Sequence, residues 1–113
     1  MTTVYADNAA TTQMSRAAID AMLPCMETVY GNPSSLHSLG QQANEALQDA
    51  RERIAKCLNA SPREIYFTSG GSEADNQAII SAARIGERKG KKHIISTAFE
   101  HHAVLHTLKK LEK

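Results

Sequence analysis

There is no tryptophan in this chain, and only three tyrosines and two phenylalanines carry aromatic rings. A core must therefore be built mostly from Ala, Leu, Ile and Val. Cysteine is almost as scarce. Cys25 and Cys57 lie inside helix-like patterns without metal-type spacing, so they read as reduced core thiols. No apolar run approaches the roughly 20 residues that span a bilayer, and "MTTVYADNAATT" lacks the apolar centre of a signal peptide. A cytoplasmic location with no membrane partner is expected. Charge is balanced too: 13 Lys and Arg against 12 Asp and Glu leave a formal +1, which gives no reason to expect a nucleic-acid partner. What remains is an ordinary globular composition in 113 residues, 42% hydrophobic and 22% charged, enough for one modest domain.

The pattern along the chain has no repeat, low-complexity tract or linker. "MTTVYADNAATTQM" is too irregular for a helix and reads as an arm. Ser15 is a plausible N-cap, followed at helical spacing by Ile19, Met22, Leu23 and Met26, with a kink expected at Pro24. "YGNPSSLHSLG", Tyr30 to Gly40, is rich in turn formers and reads as a loop. Leu39, Ala43, Ala46, Leu47, Ala50, Ile54, Ala55 and Leu58 then mark one apolar stripe on a long helix, broken by "NASPRE". "EIYFTS" and "HIIST" are short and rich in β-branched or aromatic residues, and predict strands. Helices are predicted from Ser72 to about Gly90 and from "HHAVLHTLKKLEK". Strand, helix, strand, helix implies parallel strands with helical crossovers, but two strands make no stable parallel sheet. The fold class expected is α/β: an incomplete piece of a three-layer, mostly parallel α/β/α domain with an N-terminal arm and long helices.

Two features carry chemistry. At "TSGGSE", Gly70 and Gly71 free the backbone for tight or positive-φ geometry, and Ser72 opens a helix with Asp75 three residues on, a capping-box-like pair. Such a helix start can receive an anion. Neither G-x-x-x-x-G-K-[ST] nor G-x-G-x-x-G is present, so in isolation the joint reads as a plain turn, with a phosphate cup as the competing reading. The second feature is "EHH" at 100–102, just after a strand, where open parallel sheets place ligands. An imidazole there could stack on a flat cofactor whose phosphate rests at Gly71 and Ser72, or His101 could simply cap its helix. His102 and His106 share a helix face at zinc-ligand spacing, yet no H-E-x-x-H pattern or third ligand accompanies them. A solvated His106 is the preferred reading, and no metal site is expected.

"YADNAATT", "GNPSSLHSLG", "FTSGGSEADNQAI" and "EHHAVL", in this order and at these intervals, resemble the N-terminal portion of the cysteine desulfurases, pyridoxal-phosphate enzymes of the class V aminotransferase group. "EHHAVL" is closer to the nitrogenase and iron–sulfur-assembly type than to the selenocysteine-lyase-like type. The resemblance implies that Gly71 and Ser72 hold the phosphate of pyridoxal 5'-phosphate, Ser72 standing where the family usually has Thr. It implies that His101 stacks on the pyridine ring and acts catalytically in proton transfer. Asn8, Ala9 and Ala10 in the arm, and Asn32 and His37 in the loop, would lie near the substrate pocket or a dimer contact. The implied substrate is L-cysteine, converted to L-alanine with sulfur passing to an enzyme cysteine. The implied partners are a second copy in a homodimer and the sulfur-acceptor or scaffold proteins of iron–sulfur assembly.

The family's Schiff-base lysine, pyridine-binding aspartate and catalytic cysteine come from later sequence, and Cys25 and Cys57 match none of them. These 113 residues are therefore expected to be an N-terminal fragment, inactive alone. Its layout would be an arm at 1–14, a helical segment at 15–60 with an active-site-type loop at 30–40, and at 61–113 the start of the pyridoxal-phosphate-binding domain. Two alternatives stay open: a stand-alone binding or assembly protein reusing the phosphate half-site, and another enzyme of the class V aminotransferase group.

Overall fold

A computed structural model of the chain describes residues 3–112, so positions 1, 2 and 113 of the expected arm and last helix lie outside it. The chain divides into two units at the Ile65–Tyr66 boundary. The first holds α1 (Arg16–Glu27), α2 (Ser38–Cys57) and a 3₁₀ turn at Pro62–Glu64; the second holds α3 (Gly71–Arg88) and α4 (His102–Leu111).

In the first unit, local chemistry sets the helix ends. Ser15 caps α1 through a bond from the Ala18 N–H at 3.2 Å, as its position predicts. Pro24 is accommodated inside α1, which ends three residues later. There the Pro24 carbonyl accepts from the N–H groups of both Thr28 and Val29. The loop before α2 closes earlier than expected, because α2 begins at Ser38 with His37 as its cap. Glycine is required at both of its ends: a Cβ on Gly31 would lie 2.2 Å from the Leu39 carbonyl oxygen, and one on Gly40 would lie 2.3 Å from that of Ser35. At the far end of α2, Asn59 adopts a left-handed φ of 52°. The Ala60 N–H bonds the Ala55 carbonyl and the Asn59 N–H that of Lys56, which together form a Schellman closure. Ser61 and Glu64 then form a reciprocal capping box around Pro62, and the Arg51 guanidinium donates to the Ile65 carbonyl.

In the second unit, α3 and α4 pack against each other and run the same way. The first half of α3 (Ser72, Asn76, Ile80) shares a groove with α4 from His102 to Lys110, and Arg84 and Glu87 near its end share another with Leu111. Both N-termini therefore lie at one end. A helix of 18 residues spans roughly 27 Å, so the connection must run back over a similar distance. Seven residues at 91–97 cover about 23 Å when extended. Gly90, at φ 69°, terminates α3 and starts this return, with the Lys91 N–H on the Gly86 carbonyl at 2.8 Å.

Three sequence expectations are corrected. First, "EIYFTS" and "HIIST" form no strand among the described residues; they lie between helices without a ladder. A strand is defined by ladder hydrogen bonds to a neighbouring segment, and no such ladder forms among the described residues. The second and third layers of the expected sandwich are accordingly not seen. Second, Cys25 and Cys57 are exposed free thiols rather than core residues. Third, the core is minimal: among the described residues Ala43 and Ala55 are the buried apolar ones, while Tyr66, Phe67, Ile94, Ile95 and Phe99 are exposed. The accessible surface is 9922 Å². A compact chain of this mass would expose roughly 6,100 Å², and even two separate compact bodies of these lengths roughly 7,300 Å².

Candidate functional site

The start of α3 is an open donor array. Gly70 is its N-cap and makes no side-chain cap bond, so the first-turn N–H groups of Gly71, Ser72 and Glu73 point out of the helix. The expected capping box between Ser72 and Asp75 does not form. Helix begins one residue earlier, at Gly71, and just before it the Ser69 N–H and hydroxyl both donate to one Glu73 carboxylate oxygen at 2.7 Å, leaving the first-turn N–H groups uncapped. Neither glycine needs positive φ, since Gly70 is extended at φ 168°. What the pair provides is room, because a Cβ on Gly70 or Gly71 would meet nothing within 4 Å.

The start of α4 lies at the same end. His101 is its N-cap, with Nδ1 accepting from the Ala103 N–H at 3.1 Å. That bond leaves the proton of a neutral ring on Nε2, which faces away from the helix backbone. The His101 and His102 rings lie 4.0 Å apart between centroids at 31°, and His102 lies 5.9 Å from His106. Ser72, Asn76, His102, Ala103, His106, Thr107 and Lys110 line one open groove of about 360 Å³. Ser72 and His102 are thus brought to a single groove, and His101, which does not line it, reaches it only through its ring contact with His102. Two parallel helix N-termini and Lys110 make it favourable to an anion. Among the described residues, no group of three or more His, Cys, Asp or Glu converges as a metal site would require.

The other candidate residues belong to the first unit. Asn8, Ala9 and Ala10 form an exposed turn, closed by the Ala10 N–H on the Asp7 carbonyl at 3.1 Å. Asn32 folds its side-chain oxygen onto the Ser34 N–H at 2.9 Å, and His37 accepts from the Gly40 N–H at 3.4 Å. Asn32 and His37 thus shape the loop that leads into α2.

Sequence reasoning missed Asn76 and Thr107. For Asn76 a signal was available as spacing, since Ser72, Asn76 and Ile80 recur at i, i+4 and i+8 on one helix face; the pairing of Asn76 with Thr107 has no such local signal.

A model of the aminotransferase class-V family matches residues 4–113. The chain is 51% identical over 110 residues to the cysteine desulfurase IscS of Clostridium botulinum (strain Hall), covering 97% of this chain and 28% of that protein. It is 50% identical over 109 residues to the cysteine desulfurase IscS of Methanosarcina thermophila, covering 96% and 27%. Among solved structures, a NifS-like protein superposes with a TM-score of 0.82 at 39% identity, over 93% of this chain and 29% of that one. DndA from Streptomyces lividans does so with a TM-score of 0.76 at 41% identity, over 96% and 30%. The chain spans about 28% of the length of the curated relatives it matches.

Proposed function

The chain belongs to the aminotransferase class-V family, and from that premise we propose that it carries the cofactor-phosphate part of a pyridoxal-phosphate-dependent cysteine desulfurase. Such an enzyme takes sulfur from L-cysteine, leaves L-alanine and passes the sulfur through one of its own cysteines to acceptor or scaffold proteins of iron–sulfur assembly. The observation that carries the reading is the groove that Ser72 shares with His102, whose ring lies 4.0 Å from that of His101, at the start of two parallel helices.

The residues present fit the cofactor. Uncapped N–H groups at Gly71 and Ser72 and the Ser72 hydroxyl suit a phosphate dianion, and the space above Gly70 and Gly71 lets it approach. The Glu73 carboxylate is held by Ser69. His101 offers a ring face for stacking and an Nε2 proton that can be given or taken while Nδ1 stays on the Ala103 amide. When bound, pyridoxal phosphate supplies an electron sink for bonds at the substrate's α-carbon. In this reading the lysine and mobile cysteine that complete the chemistry are not among these residues, which are inactive alone.

The reading extends to organisation and setting. Residues to position 14 serve as an arm, 15–60 as a helical segment, and 61 onward as the start of the cofactor-binding α/β domain. There "EIYFTS" and "HIIST" become parallel strands once neighbours pair with them. Asn8, Ala9, Ala10, Asn32 and His37 face substrate or a second subunit of a homodimer. A cytoplasmic location accords with the described residues, which contain no helix long and apolar enough to cross a membrane.

The test is titration of the chain with pyridoxal phosphate, followed through the amide signals of Gly71 and Ser72, for the native sequence and for Ser72→Asp. Binding competed by inorganic phosphate and lost in Ser72→Asp is expected. Aspartate in the first turn favours the helix itself, so the loss would not come from unfolding of α3. Binding that survives Ser72→Asp unchanged would reject the cup.

A further inference from the structure

Thr107 is 5% exposed, and among the described residues it is the one buried polar side chain. It stands in the seam between α3 and α4. Its single hydroxyl proton is shared between the Ala103 carbonyl, one turn back at 2.8 Å, and the side-chain carbonyl of Asn76 on α3. The bond to Ala103 is local and satisfies the hydroxyl by itself. The bond to Asn76 is therefore not needed to avoid an orphaned donor. Among the described residues it is also the one side-chain hydrogen bond that joins the two helices.

Its distinctive contribution is register. The apolar side chains where the two helices meet include Ile80 and Ala103, and further along Ala83 and Leu111, whose contacts have little directional preference. Sliding one helix by a turn displaces it about 5.4 Å, far beyond the tolerance of a hydrogen bond. Asn76 lies one turn beyond Ser72, and Thr107 six residues beyond His101, so the bond sits directly behind the mouth of the cleft.

We propose that Asn76 and Thr107 are positioning residues: their part-buried bond fixes α3 against α4 so that Ser72 and His102, with His101 stacked on His102, are presented to one cofactor at once. This rests on the reading of the cleft as the pyridoxal-phosphate site. Neither side chain is assigned a contact with the cofactor.

The experiment measures pyridoxal phosphate affinity and thermal stability for Asn76→Ala, Thr107→Ser, Thr107→Val and the apolar pair Asn76→Leu with Thr107→Val. Asn76→Ala is the gentle variant, because Thr107 keeps its bond to Ala103. We expect Asn76→Ala and Thr107→Val to weaken binding about tenfold, with Thr107→Ser within about twofold of the native chain. The apolar pair should recover the melting temperature lost by Thr107→Val without recovering affinity, since apolar groups fill the seam but set no register. Recovery of both together, or unchanged affinity in Asn76→Ala, would overturn the proposal. If the native chain binds no pyridoxal phosphate, the functional reading fails separately. The register claim is then decided by Overhauser contacts between α3 and α4, which must change in Asn76→Ala; an unchanged pattern would overturn it.

Discussion

One carboxylate oxygen of Glu73 accepts both the hydroxyl and the backbone N–H of Ser69, each at 2.7 Å. The hydroxyl first, and the amide second, hold the Glu73 carboxyl below its ordinary value of 4.5, against a small opposing effect of desolvation. A pKa lowered on folding stabilises the fold fully above the unfolded value and loses that contribution as pH falls through the lower folded value. Glu73→Gln should therefore be less stable than the native chain at neutral pH. The gap should narrow as pH drops below about 4.5, where protonation removes the advantage of the native carboxylate. Thermal melts of both chains from pH 7 to pH 3 test this; a constant gap across the range would refute it.

His101 has two separable roles. As N-cap of α4 it accepts from the Ala103 N–H, and in the proposed site its ring faces the cofactor. His101→Ala should cost about 1 kcal/mol in stability, in line with the loss of other caps. His101→Ser restores a cap and should recover most of that stability while leaving pyridoxal phosphate binding as weak as in His101→Ala. Equal recovery of binding in His101→Ser would show that the ring does nothing beyond capping.

Gly40 should tolerate no side chain. An added Cβ would lie 2.3 Å from the Ser35 carbonyl oxygen and 2.8 Å from that of Asn32, so Gly40→Ala must push the loop off α2. We expect a loss of about 1–3 kcal/mol, typical of overpacking, despite alanine's better helix propensity. A denaturation midpoint equal to or above the native one would contradict the close approach.

The exposed apolar side chains predict self-association. Val4, Leu36, Ile95 and Phe99 are all exposed, and among the described residues the segments able to act as strands form no ladder. Sedimentation of the 113-residue chain should show oligomers that grow with concentration. A monomer that unfolds cooperatively at all concentrations would count against this.

Features legible in the sequence were those fixed by residues close to one another along the chain. The Ser15 cap, the long α2 stripe and the extent of α3 follow from propensity, periodicity and terminators within a few positions. The joint at Gly70 and Gly71 was legible as a helix start, but the expected capping pair does not form. Ser72 and Asp75 have suitable spacing, yet the helix starts at Gly71 without a side-chain cap and Glu73 accepts from Ser69 instead. The two strand segments carry the right residue types, yet a strand is a relation between segments, and sequence pattern does not report whether a partner is present. Exposure of Cys25 and Cys57 escaped for a similar reason: an apolar face is buried only when something packs on it. The bond between Asn76 and Thr107 spans 31 positions, beyond the reach of any local rule.

The close approaches at Gly31 and Gly40 limit how this loop can evolve. Most crowded positions can be relieved by trimming a neighbouring side chain, and such pairs show up as compensating substitutions. Here the nearest obstacle is a peptide carbonyl, that of Leu39 for Gly31 and that of Ser35 for Gly40, where the Ser35 Cβ and the Asn32 carbonyl come next, and every amino acid carries a carbonyl. No second mutation can remove it. In a saturation scan both sites should be intolerant in every genetic background, with no suppressor found among neighbouring side chains.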